Sequence, residues 1–125
     1  MIMQIFAVAA GGAIGALCRL GLSALAVRIV GAGFPWGTLA ANLVGCFLIG
    51  LAVALIEYHN LLGDTHRLFF LTGLLGALTT FSTFALDSVM LARSGAWVAA
   101  GINMAVNNVA GILLVLVGLW VGKRL

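Results

Sequence analysis

Residues 73–84 read Gly-Leu-Leu-Gly-Ala-Leu-Thr-Thr-Phe-Ser-Thr-Phe and lie inside an apolar run extending from residue 68 to residue 91. The run is long enough to cross a bilayer, which takes ~20 apolar residues. Its middle is poor helix, because two glycines and four hydroxyl residues weaken or compete with the helical hydrogen bonds. A break is expected there. At membrane depth, broken backbone is tolerated only where it is buried in protein or lines a cavity, and the freed carbonyls then suit a small hard cation. Phe81 and Phe84 flank the segment. The edge of a phenyl ring carries the positive end of its quadrupole, so a ring edge can touch an anion without offering a full charge.

The rest of the chain has the same character. Of its 125 residues 64% are hydrophobic, 17 are Gly, and only 7% are charged, against ~25% charge and ~7% Gly in ordinary globular domains. Polar flanks mark four spans, at residues 5–27, 36–56, 68–91 and 97–121, each able to cross with some tilt. The expected fold is an all-α integral membrane protein with four transmembrane helices in one domain. About 45 residues remain outside four ~20-residue spans, too few for a separate soluble catalytic domain. The connections are short: residues 28–35 hold Gly31, Gly33 and the only Pro, residues 57–67 form the one polar loop, and residues 92–96 make a turn. Trp36, Trp97 and Tyr58 stand at span ends, where amphipathic rings anchor at the water interface. The first span has no preceding Lys or Arg and continues past Leu17, so it reads as retained and not as a secretory signal. Cys18 and Cys46 lie within apolar runs and read as small buried residues, not as a disulfide or metal pair.

Basic residues divide almost evenly between the two faces. Arg67, Lys123 and Arg124 fall on the side of the termini, Arg28 and Arg93 on the other. A Lys/Arg excess sets orientation, and a margin of one carries almost no instruction, so insertion both ways up is permitted. Six scattered cations make no polybasic patch, and no nucleic-acid partner is expected.

Polar groups inside a span should face other helices or a water-filled path. In the second span Thr38, Asn42 and Cys46 recur every four residues on one face; in the fourth Asn103, Asn107 and Gly111 do so, with Asn108 beside them. In the first, Ala7, Gly11, Gly15 and Arg19 form a stripe whose small residues allow close helix approach. Any one of these amides alone is helix–helix glue worth ~0.6–2 kcal/mol; three aligned stripes point to a lined path. Four helices have too little interior to bury two amide stripes and also enclose a passage, so an oligomer is expected. Arg19 either snorkels from the last third of its helix or serves an anion. The only ionisable groups within the spans are Arg19 and Asp87, the latter near the end of its helix where water reaches it. A cation or drug exporter needs a carboxylate near mid-span; its absence favours an anion.

Three segments carry a family resemblance: Gly11-Gly12-x-x-Gly15-x-x-x-Arg19, Pro35-x-Gly37-Thr38-x-x-x-Asn42-x-x-Gly45, and Gly73-x-x-Gly76-x-x-Thr79-Thr80-Phe81-Ser82-Thr83-Phe84. With these, nearly the whole chain resembles the Fluc family of fluoride channels, also called CrcB proteins. The resemblance implies a dual-topology antiparallel homodimer in the bacterial inner membrane, with two pores conducting F⁻ passively. It also implies a structural, untransported Na⁺ at the dimer centre, held by backbone carbonyls at positions matching Gly76 and Thr79 and shared across the dimer. Phe81 and Phe84 match the phenylalanines lining the ion path, Asn42 the pore amide, Ser82 and Thr83 the hydroxyls near the path, and Arg19 the vestibule arginine. Thr38, Asn103 and Asn107 complete the expected pore set. The fourth span departs from the family, which often presents Ser or Tyr where this chain has Asn103, Asn107 and Gly111.

The function so implied needs only a pore. Fluoride enters as neutral HF, ionises at cytoplasmic pH, and a negative-inside potential drives the anion out by ~2.3 kcal/mol per 100 mV. No nucleophile, nucleotide loop or metal cluster stands out in the sequence, so no enzyme activity is expected, and His59 and His66 read as solvated loop residues. Two other classes compete: a small multidrug-type exporter, which needs an acidic residue in a span, usually the first, and a non-conducting assembly subunit, which would leave Arg19 and the amide stripes without a role.

Overall fold

The computed structural model describes residues 1–59 and 63–125. Four helical segments are long and apolar enough to cross a membrane: Ile2–Val30, Trp36–His59, Asp64–Arg93 and Trp97–Gly122. The first, second and fourth are single α-helices, α1 (Ile2–Val30), α2 (Trp36–His59) and α6 (Trp97–Gly122). The third is composite. It starts as α3 (Asp64–Arg67), widens into a π-helix over Leu68–Leu75, tightens to α4 (Gly76–Leu78), is extended at Thr79 (ψ 159°) and Thr80 (φ −153°), and resumes as α5 (Phe81–Arg93). Thr80 caps α5, its Oγ1 accepting the Thr83 N–H at 3.2 Å, as hydroxyl residues do at helix starts. No β-strand occurs among the described residues.

The span ends lie within four residues of those expected, and α2 and α6 begin at Trp36 and Trp97. The loop expected over residues 57–67 is shorter, because α2 continues through His59 and helix resumes at Asp64; residues 60–62 lie outside the described part. The turn after α5 is closed by Gly95 at φ 85°, a left-handed conformation in which glycine carries no Cβ penalty. The Ala96 N–H donates to the Leu91 carbonyl across it at 2.9 Å.

Packing is inverted relative to a water-soluble domain. Large apolar side chains such as Leu17, Leu20, Val98, Ile112 and Trp120 face outward, where lipid tails solvate them, and small residues occupy the helix seams. A Cβ on Gly11 would strike the Phe69 carbonyl and one on Gly15 the Leu74 carbonyl, so α1 lies directly on the π-helical backbone. A Cβ on Gly50 would strike the Val115 carbonyl, and one on Gly118 the Phe47 carbonyl, so α2 and α6 meet in the same way. The stripe of small residues on α1 therefore seats the π-helical stretch. Such stretches are rare and cluster at functional sites.

Two expectations are corrected. Cys18 is exposed on the outer side of α1 and only Cys46 is partly enclosed; both are free thiols. His59 does more than meet solvent: its Nε2 lies 3.1 Å from the Gly122 carbonyl, joining the end of α2 to the end of α6. At the same edge Lys123 stands 5.2 Å over the Tyr58 ring and Arg124 4.0 Å over the Trp120 ring. These cation–aromatic pairs suit a membrane–water boundary, where one end of the ring is apolar and the other wet.

Candidate functional site: a cavity at the irregular third segment

Where α4 stops, the chain lines an open cavity of about 300 Å³. Asn42, Gly45, Cys46 and Ile49 of α2, Leu75 to Phe81 in part and Phe84 from the third segment, and Asn107 and Asn108 of α6 line it. Gly45 is required by closeness, since a Cβ there would strike Cγ2 of Thr79.

Ending a helix leaves its last carbonyls without donors, and here the donors have been diverted. The Thr80 N–H, which in a continuous helix would bond the Gly76 carbonyl, donates instead to Asn42 Oδ1 at 2.8 Å. The Thr83 N–H, which would bond the Thr79 carbonyl, donates to Thr80 Oγ1. The carbonyls of Gly76 and Thr79 thus lose their regular helical donors, while the Thr79 hydroxyl is occupied by the Leu75 carbonyl at 3.1 Å. Two such backbone oxygens are the hard, neutral donors that an alkali cation takes. The residue set fits Na⁺ in chemical type.

Asn42 is the centre of the polar side. Its Nδ2 donates to the Thr80 carbonyl at 3.2 Å and to Asn107 Oδ1 at 2.9 Å. Asn107 Nδ2 donates in turn to the backbone carbonyl and to Oδ1 of Asn103, both at 3.0 Å. Asn103 is fully buried (0% exposed) and donates to Ser88 Oγ at 2.9 Å. Ser88 donates to the Phe84 carbonyl at 2.8 Å. The two phenylalanines meet edge-on, with centroids 5.6 Å apart at 61°; Phe84 is 8% exposed and Phe81 78% exposed.

Of the residues singled out from sequence, Asn42, Asn107, Phe81, Phe84, Gly76 and Thr79 come together around this cavity. Ser82 and Thr83 stand beside it, exposed, their hydroxyls 3.4 and 3.0 Å from Thr80 Oγ1. Thr38, Asn103 and Arg19 do not line it. Thr38 Oγ1 donates to Asp87 Oδ2 at 2.7 Å, so this half-buried carboxylate meets a hydroxyl as well as any water. Arg19 is half-buried on the Gly11 and Gly15 stripe.

Thr80 and Ser88 were not singled out as site residues from the sequence, and Asn108 was noted only as lying beside the fourth-span stripe. Thr80 carried a signal, a hydroxyl residue three positions before Thr83 at a helix start. Ser88 carried a weaker one, a lone serine at i+4 from Phe84 that can bond back to its carbonyl.

The family described as CrcB-like protein, Camphor Resistance (CrcB), matches residues 6–119. The chain belongs to the CrcB family. Relatives of this CrcB-family chain share the name Fluoride-specific ion channel FluC. One from Aeromonas salmonicida is 47% identical over 112 residues, 90% of each chain. One from Salinibacter ruber is 48% identical over 116 residues, 93% of this chain and 86% of the relative. One from Rhizobium etli is 44% identical over 123 residues, 98% of each. Membership with its relatives aligned almost end to end means that the cavity, the Thr79–Thr80 irregularity and the amide cluster lie within the matched region.

Proposed function

We propose that this chain forms a fluoride-selective channel, not an enzyme, that lets F⁻ leave the cell passively down its electrochemical gradient. The observation that carries the reading is near-full-length similarity, at 44–48% identity, to relatives named for fluoride-specific conduction. The cavity chemistry supports it: hydroxyl hydrogens around Thr80 and the ring edges of Phe81 and Phe84 offer partial positive charge to a small anion, and no carboxylate lines the cavity to hold a cation. A multi-pass membrane protein needs no more than this, since the membrane potential supplies ~2.3 kcal/mol per 100 mV.

The working unit in this reading is an antiparallel homodimer of oppositely inserted subunits in the bacterial inner membrane, with two pores. The three-against-two balance of basic residues supports it, as does the exposure of Phe81, which leaves this ring available to a second copy. A Na⁺ at the dimer centre would be held by the Gly76 and Thr79 carbonyls, and their missing helical donors support that role; the ion would neutralise and fix backbone that the interrupted helix leaves unsatisfied. Asn42, Asn107, Phe81 and Phe84 shape the path, with Ser82 and Thr83 at its side and Arg19 and Thr38 toward its approaches.

The test is ion efflux from liposomes loaded with equal KF and KCl, followed by F⁻ and Cl⁻ electrodes after addition of a K⁺ ionophore. Rapid F⁻ loss with Cl⁻ retained is expected. No F⁻ loss from inserted, dimeric protein would overturn the channel reading.

A further inference from the structure

Five hydrogen bonds run head to tail through the site: Thr80 N–H to Asn42 Oδ1, Asn42 Nδ2 to Asn107 Oδ1, Asn107 Nδ2 to Asn103 Oδ1, Asn103 Nδ2 to Ser88 Oγ, and Ser88 Oγ to the Phe84 carbonyl. Both ends are backbone groups of fixed character. An N–H only donates and a carbonyl only accepts, so the direction of the whole series is imposed from its ends. Turning the Asn42 amide over would set its NH₂ against the Thr80 N–H and its oxygen against the Thr80 carbonyl. With Asn42 held, its second hydrogen requires Asn107 to present oxygen, and the Asn103 backbone carbonyl holds the Asn107 NH₂ in the matching sense. Two bonds from Asn42 Nδ2 and two from Asn107 Nδ2 then account for all four amide hydrogens.

We propose that Asn103 and Ser88 are positioning residues that lock the polarity of the Asn42 and Asn107 amides, so that neither amide has an N–H left for an anion in the cavity. The inference rests on the fluoride-channel reading for its functional meaning alone; the polarity itself is a property of the fold. The anion is then met by the Ser82 and Thr83 hydroxyls and by phenyl edges, the Thr80 hydroxyl hydrogen being donated to Thr83 Oγ1, and the amides act as a rigid scaffold. Because hydrogen bonds in series polarise one another, removing the far end at Ser88 is felt at Asn42, three hydrogen bonds away and across two helices. The terminal acceptor is the backbone carbonyl of Phe84, so one network reaches from the Thr80 N–H to the backbone of a residue whose ring lines the cavity.

The test uses asparagine-labelled, full-length protein in bicelles. In the unmutated protein, trans-hydrogen-bond N–C′ couplings are expected from Asn42 Nδ2 to Asn107 Cγ and from Asn107 Nδ2 to Asn103 Cγ, unchanged between F⁻-free and F⁻-containing buffer. Ser88→Ala should shift the Asn42 and Asn107 side-chain amide resonances, speed their solvent exchange about tenfold, and slow F⁻ efflux; Ser88→Thr, which keeps the hydroxyl, should restore all three. Couplings absent from conducting protein, or amide resonances that move with F⁻ while Ser88→Ala leaves them in place, would overturn the proposal and make Asn42 and Asn107 direct anion ligands. Should Ser88→Ala not fold, the couplings in the unmutated protein decide alone. Protein that shows the couplings but passes no F⁻ would instead overturn the channel reading and leave the polarity standing.

Discussion

The carboxamide of Asn42 pairs with both backbone groups of Thr80, taking its N–H at 2.8 Å and meeting its carbonyl at 3.2 Å. One side chain on α2 thus takes the N–H that the third segment leaves without a helical acceptor and adds a second donor to the carbonyl that opens α5. The pairing explains how the extended backbone of Thr80 keeps both of its polar groups satisfied at membrane depth, and why an amide occupies position 42: an amide side chain carries a donor and an acceptor side by side.

Asn42→Asp should abolish F⁻ efflux in the liposome assay. A carboxylate cannot donate to the Thr80 carbonyl or to Asn107, and it places a negative charge in the anion's path. Asn42→Ala removes the same bonds, each worth ~0.6–2 kcal/mol between membrane helices, without adding charge. It should lower Tm yet retain some flux; equal, undiminished flux in both variants would remove Asn42 from the path.

The α2–α6 seam should tolerate no added methyl. Gly118→Ala sets a Cβ against the Phe47 carbonyl, and overpacking of this kind costs about 1–3 kcal/mol. Gly101→Ala, on the same helix with nothing nearby, should be neutral. Thermal unfolding in detergent compares them, and a Gly118→Ala Tm equal to the parent's would contradict the close approach.

Phe81 and Phe84 should separate stability from conduction. Phe84 is buried, so Phe84→Ala should lower stability by on the order of 1–3 kcal/mol, less than the usual ~3–5 because lipid tails remove the water-transfer part. Phe81→Ala, which vacates an exposed ring, should leave the subunit's Tm within a degree or two and reduce F⁻ efflux. The pair of measurements is Tm and initial efflux rate on the same preparations.

If the Gly76 and Thr79 carbonyls hold Na⁺, added NaCl should raise Tm by mass action, relative to N-methylglucamine chloride at equal ionic strength. A saturable rise with Na⁺ and none with the organic cation is expected. Identical melting in both salts would argue against the cation.

Sequence by itself determined the four spans and the side of each helix that carries polarity. Apolar run length is read directly against bilayer thickness, and a repeat of four residues names a helix face whatever that face meets. The amide residues 42 and 107 and the two phenylalanines at the cavity were legible on those grounds. Partners were not. Thr38 shares the Asn42 face yet bonds Asp87, and Asn103 shares the Asn107 face yet reaches Ser88 outside the cavity, because partner choice depends on how deep each helix sits and at what angle it crosses its neighbour. Those are set by glycine-to-carbonyl contacts between residues far apart in the chain, at Gly11, Gly50 and Gly118. The direction of each amide is likewise a tertiary property: it follows from the Thr80 N–H at one end of the network and the Phe84 carbonyl at the other, and no spacing in the sequence records it.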